Sequence, residues 1–415
     1  MLALALATGW LNGPWLAQWA REATLPAANA TYNLNDYAAF LTAARMIAHG
    51  TGPRLYQIEA QREEERDEWG ARFDQPLAVP FVNPPWFALA LLPLAGLPVG
   101  AGFLLWLTTC LTMVVAAAGL LVHWARPPRM VAVVFMLAVF SFVPFWRTML
   151  IGQTSALVLF GLAAAVVCLA RRQDRRAGLA LALVSVKPQL IILPLLALVA
   201  QRRWRALATV SAAGVGLLLV GLPFTGVAAF GDYLALLRGP DYPAYENLPQ
   251  MQSWRALVEG TLGLQGSAAI LLNAAGMLAA LVAVAWAWRS APSGPPAAGP
   301  TPPPDWDLRM ALTLLLTPLF TPHLHVHDLL IWLVPGGLVL HHLYSPAGRR
   351  LGAWRRALGF AGLWAGYLVA WPAWLLPEAR LALVFSLLAA AWTAAALRDA
   401  RIERMAVWTP TPLPR

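Results

Sequence analysis

The sequence predicts an all-α polytopic membrane protein, a bundle of about 12 transmembrane helices at roughly 20 apolar residues per crossing, with a large first outer loop. Three observations predict it. Of 415 residues, 59% are hydrophobic and only 12% charged, against about 25% charged in a soluble domain. The mean hydropathy is +0.59. The charges gather in short arginine-rich clusters between apolar runs. So few charges cannot solvate a surface of this size, which excludes a soluble enzyme and a disordered chain.

The net charge of +10 comes from 30 basic and 20 acidic residues, and Lys187 is the sole lysine. Basic clusters between apolar runs follow the positive-inside pattern, not a nucleic-acid face. Cys110 and Cys168 both lie in apolar runs, as small core residues do.

Taken in order, residues 2–20 read as a first span without the basic start or small-residue cleavage site of a secretory signal. Residues 21–83 hold nine of the twenty acids, including the run Arg62 to Glu68, and form a soluble outer loop with small helices of its own. Residues 84–98 are apolar but short and Pro-punctuated, so they lie in the interface. If they crossed, the clusters at 126–129, 171–176 and 202–205 would face outward, against positive-inside. Further spans fall at 101–123, 130–147, 152–170, 177–188, 189–200, 206–223, 267–288, 309–321, 328–343, 357–376 and 380–397, with both termini cytoplasmic. The two short segments around Lys187-Pro188 read as a broken hairpin, tolerated where it lines a cavity. Outer loops cover 21–100 and 225–266, and a Pro-rich cytoplasmic linker covers 290–307. This places a catalytic membrane region at 1–343 and C-terminal helices with a cytoplasmic tail at 344–415.

There is no Walker loop, no GxGxxG after a strand and no Cys/His set with metal spacing. The polar candidates all map outward. Asp36, followed by Tyr37, opens a short amphipathic helix ending at Gly50; it reads either as a helix N-cap or as a general base. Asn83-Pro84-Pro85-Trp86 is a rigid turn with an interfacial Trp. Arg147 and Gln153 flank Gly152 at one outward turn, and Lys187 sits at another between apolar residues. A cation there suits a phosphate or carboxylate partner, or snorkels to the interface. In Thr321 to Asp328, three alternating histidines share a face only if the backbone is extended. Zinc is a weak reading of them; His327 as a phosphate or hydroxyl partner is more economical, with Asp328 capping the next span.

The ordered set Asp36-Tyr37, Ala43-Ala44, Gly50, Leu55-Tyr56, Phe81 to Phe87, Leu91 to Leu94, Gly152-Gln153, Lys187-Pro188-Gln189, Thr321-Pro322 and His327-Asp328 resembles glycosyltransferase family 87 over residues 31–343. It is similar to that family's polyprenyl-phosphate-mannose-dependent mannosyltransferases, which have the GT-C fold. Asn83 stands where the pattern has Tyr, and three histidines stand where one is needed. The resemblance implies a GT-C-like bundle and inverting transfer of a sugar, mannose by analogy, from a polyprenyl-phosphate donor. The acceptor would be a glycolipid or glycan on the outer face of a bacterial plasma membrane, as in cell-envelope synthesis. It implies no nucleotide sugar and no obligatory metal; no cofactor and no nucleic acid are expected, and the expected partners are donor, acceptor and membrane lipid. In this reading Asp36 is the base. Lys187, with Arg147 or His327, holds the phosphate, and Gln153, Asn83 and Tyr37 shape the pocket. The competing reading is a transporter or lipid flippase with no glycosyl-transfer chemistry, whose key charges would lie near the bilayer midplane.

Overall fold

The computed structural model describes residues 35–69, 80–238, 247–289 and 303–407. The expected first span at 2–20, most of the Pro-rich linker and the tip of the second outer loop lie outside the described residues. Within them the chain is helical and has no strand. Six helices are long and apolar enough to cross a membrane, seven if one bent pair is a single span. Several of the expected twelve spans are shorter than a crossing needs.

The polar stretch before the Pro-punctuated segment folds into α1 (Asn35–Ala48) and the charged α2 (Ile58–Trp69). The Pro-punctuated segment becomes two short helices, α3 (Pro85–Ala90) and α4 (Leu92–Ala95), neither able to cross alone. Aromatic packing joins them: Phe40 meets Phe87 edge-to-face at 5.1 Å, and Phe87 meets Trp106 at 5.8 Å. The Arg45 guanidinium donates to the carbonyls of Ala95 and Leu97, so α1 is tied to the end of α4.

Helix α5 (Val99–Ala125) has 27 residues and is roughly 40 Å long at 1.5 Å per residue, enough for a bilayer. Leu104, Leu105, Leu111 and Val115 are exposed on it, as a lipid-facing surface requires. Next come α6 (Arg129–Ser141) and α7 (Val143–Ile151), bent by 44°. The break falls at Phe142, whose backbone is extended, and Pro144, with no N–H to offer the Phe140 carbonyl, stands in the first turn of the next helix. The Trp146 indole N–H donates to that carbonyl instead, at 2.9 Å.

Helix α8 (Ser155–Ala170) is almost wholly buried. It leads into α9 (Asp174–Val184) and α10 (Ile192–Ala200), only 11 and 9 residues long, with Lys187-Pro188 at the tip between them. Both are shorter than a crossing needs, and the chain breaks between them at Lys187-Pro188. Then follow α11 (Trp204–Thr225), α12 (Ala228–Arg238), α13 (Gly266–Trp288), α14 (Trp306–Leu315) and α15 (Thr317–Phe320). A 3₁₀ turn (Val326–Trp332) runs into α16 (Leu333–Tyr344), and α17 (Pro346–Arg350), α18 (Ala353–Leu375) and α19 (Leu381–Val407) complete the chain.

One pole of the bundle collects the arginine turns. Arg203 donates to the Asp174 carboxylate at 2.8 Å and to the Leu169 carbonyl, joining two of those turns. Trp306 donates to Gln201 there, and Trp124 packs against both Trp306 and His341. Arg126, Arg172 and Arg202 each adopt a left-handed conformation after a helix, a position where glycine is usual. An apolar groove of about 690 Å³ opens between α6, α16, α18 and α19.

Candidate active site

The second polar region lies at the other end of α8, roughly 24 Å from the arginine turns at 1.5 Å per residue. It forms where four helix breaks meet: the start of α1, the Gly152–Thr154 turn, the Lys187 tip and the Thr321–His325 run. Non-helical backbone at membrane depth is tolerated only where it is buried in protein or lines a cavity.

Gly152 has φ +68°, which glycine adopts without cost. A Cβ there would come within 3.0 Å of Tyr37 and 3.1 Å of Phe103. The Trp106 indole donates to the Gly152 carbonyl at 2.7 Å and pins the turn. The turn delivers Gln153, whose amide N–H donates to Asp36 Oδ1 at 2.9 Å. Its amide oxygen accepts from the N–H and hydroxyl of Thr154, so the direction of donation toward Asp36 is set. Asp36 itself sits in the first turn of α1 and is partly buried. Burial pushes its carboxyl up to about 6, with Asp328 adding to the rise; Lys187, His323 and Arg147 act in the opposite sense. An acid poised near neutrality beside cations suits proton abstraction.

Lys187 is buried and ion-paired with Asp328. Ser155 joins them, donating to Asp328 Oδ1 at 2.9 Å, with Lys187 Nζ 3.5 Å from its hydroxyl oxygen. The other oxygen of Asp328 accepts from the His325 backbone N–H at 3.1 Å and lies 3.5 Å from His327 Nε2. Asp328 therefore does cap its turn, and it also neutralises the lysine. That second role was missed in the sequence. The available signal was a lone lysine among apolar residues, which needs an opposite charge.

The run from Thr321 to His325 is neither helix nor strand, with a bend at Pro322, and leads into the 3₁₀ turn that carries His327; Leu324 and Val326 are buried while the three histidine rings lie together. Their rings are 4.7 Å and 5.3 Å apart in succession. Among the described residues no group of His, Cys, Asp and Glu is arranged to hold a metal ion. Arg147 lies over the Trp374 ring at 5.7 Å.

Two expected pocket residues are placed differently. Tyr37 is fully buried, packed on Phe103 at 4.7 Å, with its hydroxyl donating to the Val99 carbonyl. It offers no surface to a substrate, because residues 36 and 37 project about 100° apart on α1 and Tyr37 turns into the core. Asn83 donates its side-chain amide to the Val186 carbonyl at 3.1 Å, and its own carbonyl accepts from Tyr56. It holds the Lys187 tip. Asp36, Gln153, Arg147, Lys187 and His327 gather in one region.

The bundle and this site define a multi-span membrane protein with a clustered polar centre. The sequence model of glycosyltransferase family 87 matches residues 81–322, more than half of the chain, and the protein belongs to that family. It is a membrane glycosyltransferase. The matched stretch contains Asn83, Arg147, Gln153 and Lys187, while Asp36, Tyr37 and His327 fall outside it. No curated protein and no solved structure matches the chain.

Proposed function

We propose that the protein transfers a sugar, mannose by the family resemblance, from a polyprenyl-phosphate donor to a glycolipid or glycan acceptor with inversion. The observation that carries this is the Asp36 carboxylate, oriented by Gln153 and set among Lys187, His323 and Arg147. In the reaction, Asp36 takes the proton of the acceptor hydroxyl and the oxygen attacks the anomeric carbon. The bond from that carbon to the phosphate oxygen breaks, and polyprenyl phosphate leaves with the electron pair. Arg147 and the histidine face meet the phosphate, with the Lys187–Asp328 pair behind them. Alignment of donor and acceptor supplies much of the rate, and stabilisation of the leaving phosphate much of the rest.

The arginine pole faces the cytoplasm in this reading, because positive-inside favours it, and the site opens outward in a bacterial plasma membrane. The catalytic region is residues 1–343, and 344–415 are the C-terminal helices and tail. The test is transfer from polyprenyl-phosphate mannose in liposomes, with donor binding measured separately. Asp36→Asn keeps the shape and removes the base, so turnover falls by about 10²–10⁴-fold while donor binding persists. Near-normal turnover in that variant overturns the assignment. Movement of a lipid or solute with no transfer product favours a transporter.

A further inference from the structure

The second outer loop carries no residue of the proposed chemistry, yet it is built into the site. Met251, Gln252 and Ser253 are all fully buried. The Gln252 backbone N–H donates to the Leu324 carbonyl at 2.6 Å. The Ser253 hydroxyl donates to the Pro322 carbonyl at 3.0 Å. These two carbonyls bracket His323, so the loop grips alternate positions of the histidine run. A run that belongs to no helix and pairs with no strand has no ladder to hold its register, and these two bonds take that place.

The grip is anchored from the other side. The Gln252 side-chain amide donates to the Pro377 carbonyl at 2.9 Å and to the Ala373 carbonyl at 3.4 Å, and its oxygen accepts from the Ala382 N–H. Arg380, itself buried, donates to the carbonyls of Pro249 and Met251, each at 2.6 Å, and to Thr261. The turn between α18 and α19 thus holds the loop, and the loop holds the histidines. Residues 373–382 lie outside the stretch matched by the family model.

We infer that Gln252 and Ser253 are positioning residues for the histidine face of the active site, and that the α18–α19 turn acts on catalysis through Gln252. The catalytic consequence rests on the function proposed above; the structural link does not. Small displacements at a reacting centre cost up to about a hundredfold in rate, so Gln252→Ala should lower kcat/KM by about ten- to a hundredfold.

Two readouts test this on the full chain in detergent or nanodiscs. The first is amide hydrogen exchange. Gln252→Ala should speed exchange at residues 250–256 and 321–328 and leave 99–125 unchanged. The second is the pH profile of transfer. His323 opposes the upward shift of Asp36, so a loosened His323 should move the rise in kcat/KM to higher pH. Ser253→Ala removes a single bond and gives the same pattern more weakly, which covers the case of a Gln252→Ala chain that fails to fold. Thr393→Ala, an equally buried hydroxyl bonded within α19, should move neither readout. Unchanged exchange at 321–328 in the loop variants overturns the inference, as does an equal change in Thr393→Ala. If the wild-type chain transfers no sugar, the proposed function falls and the exchange measurement still decides this link.

Discussion

The ion pair between Lys187 and Asp328 offers the sharpest quantitative test. Lys187 is 8% exposed and Asp328 1%, so each charge depends on the other for its solvation. Asp328→Asn keeps an oxygen that can still accept from Ser155 or the His325 N–H, but it removes the charge. Lys187 is then buried without compensation, and breaking such a pair from one side costs about 3–5 kcal/mol. Lys187→Met leaves Asp328 in the same position and should cost a similar amount. The double variant Lys187→Met with Asp328→Leu should recover most of the loss, because apolar residues of similar volume often replace a buried pair at little cost. Thermal unfolding in a fixed detergent, followed by intrinsic fluorescence, reads the three variants against the wild type. Midpoints for the single variants should fall by several degrees, and the double variant should lie nearer the wild type than either. Additive losses would refute the reasoning, since they would mean that neither charge relied on the other.

Three further outcomes are expected. Transfer by the free enzyme, as kcat/KM, should rise with pH through about 6, because Asp36 must be ionised to take a proton and burial holds its carboxyl near that value; a profile flat from pH 5 to 8 removes Asp36 as the base. Gly152→Val should reduce turnover by at least about tenfold through displacement of Gln153, with Gly96→Val, where a Cβ meets open space, as the silent comparison in the same assay. Burial pushes the Glu65 carboxyl up to about 7, opposed by Arg62; its raised value favours the protonated fold, so stability falls as pH rises from about 4.5 toward 7, and Glu65→Gln should raise the unfolding midpoint at pH 8 and leave it unchanged at pH 4.

Much of this architecture is legible in hydropathy. The expected span 101–123 is α5 at Val99–Ala125, and 206–223 is α11 at Trp204–Thr225. The chain break at Lys187-Pro188 and the amphipathic helix after Asp36 are also where the pattern puts them. Among the described residues fewer helices than twelve are long enough to cross, for a physical reason. Helix α14 is apolar because protein surrounds it, and a buried short helix carries the same composition as a lipid-facing long one. Tyr37 shows the same limit at one residue, since adjacency to Asp36 in sequence says nothing of which side of a helix turn faces the site. The Lys187–Asp328 contact spans 141 positions, and the Gln252 grip on α18 and α19 spans more than a hundred. No local pattern encodes such pairings. They follow from which breaks the tertiary fold brings together.

The corner between α6 and α7 has a meaning of its own. A proline bend ordinarily leaves one carbonyl bare, and in hydrocarbon that carbonyl would cost several kcal/mol. Water or a mobile hydroxyl usually repairs the gap, and the bend then keeps some give. Here an indole six residues along the same chain closes it, so the repair is covalently tethered and needs neither solvent nor lipid headgroup. Such a corner behaves as a brace. Arg147 is the residue directly after that indole, so the brace fixes where its backbone stands, and the Trp374 ring on α18 meets its guanidinium across the bundle.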